Sequence, residues 1–97
     1  MARYYLFQDG ENFLVDVQAD TVDILNTRVV VPVRRPQDAP LPAKRLNPKF
    51  DIDGSPYIMV TQFIAAVPEY ELGRPAGNLR GHEDEITAAL DMLFQGF

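Results

Sequence analysis

Few side chains in this sequence can do covalent or acid–base chemistry. There is one serine, Ser55, one histidine, His82, and no cysteine. Ser55 lies in Asp53-Gly54-Ser55-Pro56, a turn-forming run. Nothing in the spacing brings it to His82, so no Ser–His–acid triad is expected. His82 precedes Glu83-Asp84-Glu85, and an imidazolium beside Asp84 or Glu85 is the simple expectation. A lone histidine without thiols does not make a zinc set. Without cysteine there is no disulfide and no thiol nucleophile. Carboxylates alternate at Asp51/Asp53, Asp20/Asp23 and Glu69/Glu71, which reads as solvent-facing positions rather than acid/base pairs. No glycine-rich phosphate loop occurs, and no cofactor or metal is expected.

Two features point to contacts with other chains instead. Six of the nine basic residues, Arg28, Arg34, Arg35, Lys44, Arg45 and Lys49, fall between positions 28 and 49, where Asp38 is the only acid. That cluster is either a solvated loop or a dock for an acidic partner, whose approach it would speed. The second feature is the ending Met92-Leu93-Phe94-Gln95-Gly96-Phe97, which has no polar tail. Such an ending is either packed in the subunit's own core or forms an interface with a second copy or a partner.

The elements that must carry these residues are mostly strands. Residues 3–18 read as a hairpin around Asp9-Gly10, with Phe13, Val15 and Val17 on the core face and Leu14, Asp16 and Gln18 on the other. Residues 19–27 read as a loop. Arg28-Val29-Val30-Val31-Pro32-Val33 is a β-branched strand in which Pro32 requires an edge, a bulge or a strand end. Prolines 36, 40, 42 and 48 make 34–48 a surface loop, with one short strand allowed near Leu46. Residues 49–62 predict a second hairpin about Asp53-Gly54. Residues 63–67 read as strand or helical turn. Tyr70 and Leu72 suggest a last strand before Gly73, Pro75 and Gly77 break the chain. Residues 82–95 predict one helix, with Ile86, Ala89, Leu90, Leu93, Phe94 and Phe97 on one stripe. Its first turn is acidic and Gly96 is placed to end it.

At 97 residues the chain allows one domain, expected to span 1–97. Hydrophobic residues at 46% and charged residues at 24% are globular values. No apolar run approaches 18 residues, so no membrane span is expected. The first residues turn polar too soon for a secretory signal, and the cytoplasm is the expected compartment. A net charge of −5 disfavours unaided binding to nucleic acid.

Several segments together resemble the CcdB family of bacterial toxins. Phe13-Leu14-Val15-Asp16-Val17-Gln18-Ala19-Asp20 is similar to the family's LFVDVQSD. Arg28-Val29-Val30-Val31-Pro32-Val33 is similar to its RRMVIPL, and Ala66-Val67-Pro68 to its ASVP. Asp91-Met92-Leu93-Phe94-Gln95-Gly96-Phe97 resembles its NLMFWGI ending. The segments occur in order over almost the whole chain. The resemblance implies a mainly β (α+β) fold: a small SH3-like, CcdB-type β-barrel sheet with a small accessory sheet and one C-terminal helix, assembled as a homodimer.

The resemblance also implies a non-enzymatic mechanism. Family members insert at the A subunits of DNA gyrase and hold the cleaved-DNA intermediate. A cognate antitoxin neutralises them through a disordered acidic tail. The toxin–antitoxin complex represses its own operon, so operator DNA is met only through that complex. Carried onto this sequence, the poisoning positions are Gln95, Gly96 and Phe97, with support from Asp91, Thr21 and Val22. The candidate antitoxin-binding residues are Arg28, Arg34, Arg35, Lys44 and Arg45. Gln95 departs from the family's tryptophan, which stacks on an arginine of gyrase. That departure leaves a second expectation open: a CcdB-fold antitoxin-binding or regulatory protein that no longer poisons gyrase. A third is an endoribonuclease toxin, with Arg28, Arg34 and Arg35 holding RNA, opposed by the net charge and the scarcity of general bases.

Overall fold

The computed structural model describes residues 3–22 and 24–97, Val22 by its backbone alone. The first hairpin joins β1 (Tyr5–Asp9) to β2 (Asn12–Asp16), in register from Leu6↔Val15 to Asp9↔Asn12. Its two-residue turn is Gly10-Glu11, one position later than expected. Gly10 takes φ +63°, which only glycine adopts freely, so it sits first in the turn and Asp9 stays paired.

β3 (Thr27–Arg34) pairs with β2 through Phe13↔Val33 to Asp16↔Val30. On its other side its neighbour changes along its length. Thr27–Val30 pair with β6 (Ala65–Pro68), and Val33–Arg34 pair with β5 (Ser55–Met59). Pro32 lies where one neighbour gives way to the other. Its carbonyl accepts from Val60 N at 2.8 Å, so its donorless nitrogen faces the same break. The proline is therefore inside a strand, but at a gap in one of the two flanking ladders.

The second hairpin forms as the sequence predicts. β4 (Lys49–Ile52) and β5 meet at Ile52↔Ser55 around Asp53 (φ +52°) and Gly54 (φ +83°). Two positive φ values in a two-residue turn suit an Asp-Gly pair.

The last strand departs from expectation. Glu69–Glu71 is a 3-10 turn, and the strand is β7 (Pro75–Asn78), on the edge beside β1. An edge strand accepts proline as its first residue. The chain enters it through Gly73, where a Cβ would lie 2.2 Å from the Gln8 carbonyl oxygen. Gln8 N donates to Arg74 O at 2.7 Å across that approach.

The 34–48 loop holds a 3-10 turn at Pro36–Asp38 and no strand near Leu46. It is anchored instead by buried Asn47, whose side-chain amide donates to Met59 O at 3.1 Å and to Gln62 Oε1 at 2.8 Å.

The result is mainly β: one antiparallel sheet in the order β4-β5-β3-β2-β1-β7, with β6 branching from β3. It curls around a core of Leu6, Phe13, Val15, Val31, Val33, Phe50 and Met59. The helix α1 (Glu83–Gln95) closes that core with Ile86 and Ala89. No helix among the described residues is long and apolar enough to cross a membrane.

Candidate functional site

The apolar stripe of α1 divides along its length. Ile86 and Ala89 are fully buried, Leu90 and Leu93 are half-buried, and Phe94 and Phe97 are 69% and 71% exposed. The helix packs on the 3-10 turns Thr61–Phe63 and Arg80–His82. Its buried residues, Ile86 and Ala89, fall in its first two turns, and Phe94 in its last turn and Phe97 just beyond it stand clear of the core. Gly96 terminates the helix at φ +81°, and its N–H donates to Met92 O at 3.1 Å. Gln95, Gly96 and Phe97 are exposed together at this end. Asp91 is half-buried, one helical turn before Gln95. The acidic first turn suits the helix dipole, and His82 Nδ1 meets Glu85 Oε1 at 3.0 Å while its ring lies 4.7 Å from that of Phe50.

Thr21 is exposed on the 3-10 turn Asp20–Val22 that follows β2. Val22 ends that turn, and its side chain lies outside the described residues. No hydrogen bond or ring contact links Thr21 to the end of α1 among the described residues.

The basic cluster does not survive as one patch. Arg28 is a correction: it is wholly buried, and its Nε donates to Asp16 Oδ2 at 2.7 Å. Burying an unpaired guanidinium is prohibitive, so it is sealed in only together with a carboxylate. It offers no surface for an antitoxin or for RNA. Arg35 is held by Asp38 at 2.8 Å and Glu11 at 2.9 Å. The hydrogen bond from Arg35, helped by one from Asn12, holds the Asp38 carboxyl below the usual range, and Asp38 in turn raises the Arg35 guanidinium. Arg34 lies over the Phe63 ring at 5.3 Å. Lys44 and Arg45 are exposed, carry no ion pair among the described residues, and rim a hollow of about 340 Å³ with Pro48, Glu85 and Ala88.

Sequence reasoning missed Asp16 and Gln18. Strict alternation put both on the face away from the core, yet both are buried. The available signal was an acid and an amide alternating with apolar residues, which need partners where that face is also buried. Asp16 Oδ1 accepts Gln18 N at 3.0 Å and Gln18 Oε1 accepts Val29 N at 3.0 Å. Also unanticipated is a surface groove of about 590 Å³ lined by Asn26, Thr27, Pro68, Glu69 and exposed Tyr70.

For covalent chemistry the arrangement offers little. Ser55 opens β5 on the surface while His82 engages Glu85. No group of three or more His, Cys, Asp or Glu gathers as a metal set among the described residues. What the surface does present is an exposed, glycine-ended aromatic helix terminus. A family-model comparison matches residues 4–96 to the family described as CcdB protein. With that match spanning nearly the whole sequence, and with the half-barrel sheet closed by a final helix, the chain belongs to the CcdB family of toxin–antitoxin gyrase poisons.

Proposed function

We propose that the protein is the toxin of a toxin–antitoxin pair and inhibits DNA gyrase by inserting Gln95, Gly96 and Phe97 at the gyrase A subunit. Asp91, Thr21 and Val22 support that contact. The observation that carries the reading is Phe97, 71% exposed beyond a left-handed Gly96. An exposed aromatic is the kind of anchor that dominates a protein–protein contact once an apolar pocket receives it. The protein acts as a homodimer, which presents two helix ends to the two A subunits, and it does so by binding rather than catalysis. A cognate antitoxin neutralises it through an acidic tail, and the pair represses its own operon. Arg34, Lys44 and Arg45 are the cationic surface for that tail, with Arg35 available only by exchange from Asp38 and Glu11. Affinity for the tail should therefore fall as salt rises. The test is supercoiling by purified gyrase. Block of supercoiling with accumulation of cleaved plasmid is expected; full supercoiling at micromolar protein removes the proposal.

One observation favours a second reading. Position 95 is exposed on α1 and holds glutamine, which has no π face to stack on a gyrase arginine. In that reading the protein keeps antitoxin binding and regulation without poisoning gyrase.

A further inference from the structure

We infer that Asp16, Gln18 and Arg28 form a buried positioning unit that fixes the 3-10 turn Asp20–Val22 against the sheet. The inference concerns the hold on this turn, and it bears on gyrase only through the reading above that Thr21 and Val22 contact the target. The regular β2–β3 ladder stops at Asp16↔Val30. Beyond that point a strand would normally fray. Here it continues through side chains. Asp16 accepts Arg28 Nε on one oxygen and Gln18 N on the other, at 2.7 and 3.0 Å. Gln18 then accepts Val29 N at 3.0 Å, beside the Val17 N to Val29 O bond at 3.0 Å. All three side chains are at most 7% exposed.

The preceding residues brace the same stretch from the opposite side. Tyr4 N donates to Asp16 O at 2.6 Å, and Arg3 N donates to Asp20 Oδ1 at 2.9 Å. Tyr4 holds φ +74°, a conformation a tyrosine keeps only where surrounding structure fixes it. The turn carrying Thr21 thus starts from a segment tied on two sides. An apolar pair would fill the same volume, but it has no directional bonds with which to orient Gln18 and Val29. Fully bonded, such a network sets the geometry of the segment it ties.

The experiment compares the full-length protein with the double variant Asp16→Leu/Arg28→Met. Replacing both partners removes the Asp16–Arg28 ion pair as a unit instead of stranding one member of it, so the unfolding midpoint should stay close to that of the parent. Backbone order parameters at Asp20 and Thr21 should fall from about 0.85 to below about 0.6. Affinity for the gyrase A subunit should fall at least tenfold. If the double variant does not fold, Gln18→Met keeps the ion pair and removes the acceptor for Val29 N, with the same expected loss of order. Order parameters unchanged in a folded variant overturn the inference. Lost order with unchanged gyrase affinity upholds it and instead removes Thr21 and Val22 from the gyrase contact.

Discussion

Arg28 Nε donates to Asp16 Oδ2 at 2.7 Å, and neither side chain reaches solvent. The pair joins the last residue of β2 to the start of β3, and it takes one arginine out of the basic cluster. Breaking it from one side strands a charge in the sheet. Arg28→Met alone should lower the unfolding free energy by about 3–5 kcal/mol. Urea unfolding measures this, and a change within about 0.5 kcal/mol would mean that the carboxylate finds solvent or another donor.

Gly73 is required by proximity rather than by φ. An alanine Cβ would meet the Gln8 carbonyl at 2.2 Å, and that oxygen belongs to the backbone of β1. Gly73→Ala should push β7 off β1 and cost about 1–3 kcal/mol. Faster exchange of the Gln8 amide, which donates to Arg74 O, is the local sign. Parent-like stability and exchange together would show that the edge can shift freely.

Asp38 sets a pH expectation of definite sign. Its carboxyl is lowered in the folded state, chiefly by the Arg35 hydrogen bond and then by Asn12. Its contribution to stability is therefore present above the unfolded carboxylate value, about 3.9, and is lost as pH falls through the lower folded value. The stability of Asp38→Asn should fall less steeply than that of the parent below about pH 4. The difference should shrink at high salt, because the group is accessible. Parallel urea midpoints for the two proteins from pH 7 to pH 2.5 would contradict the pairing.

Gln95→Trp tests the two functional readings against each other. A restored stack on a gyrase arginine is worth roughly 0.5–2 kcal/mol, or about 2- to 30-fold in affinity. The substitution is at an exposed position, so stability should hardly change. If the parent already poisons gyrase, the variant should do so more tightly. If the parent is inert and the variant toxic to cells, the second reading is correct. Unchanged behaviour in both assays would show that position 95 does not face the target.

The elements with strong local rules were legible in the sequence. The Asp53-Gly54 hairpin formed at the expected turn because two positive φ values admit few other residues. The helix followed from its stripe, and Gly96 ended it as foreseen. What failed depended on tertiary neighbours. Pro75 and Gly77 read as breakers, but β1 leaves an edge on which such residues can pair. Asp16 and Gln18 read as surface because alternation assumes that one face of a strand meets water, and Arg28 because it counted toward the basic cluster; all three are buried together where β2 ends. The basic cluster was visible as a count along the chain. Its division into a buried pair, a carboxylate-bound Arg35 and an exposed Lys44–Arg45 rim depended on chain placement that no local pattern encodes.

The most direct test of the account is the binding of the gyrase A subunit by the parent protein and by a variant lacking Gly96 and Phe97. Both residues lie outside the core, so the two proteins should unfold at the same temperature within a few degrees. The parent should bind and trap cleaved DNA, while the shortened variant should lose at least tenfold in affinity and trap none. Equal binding by both proteins would contradict the claim that the exposed end of α1 grips gyrase.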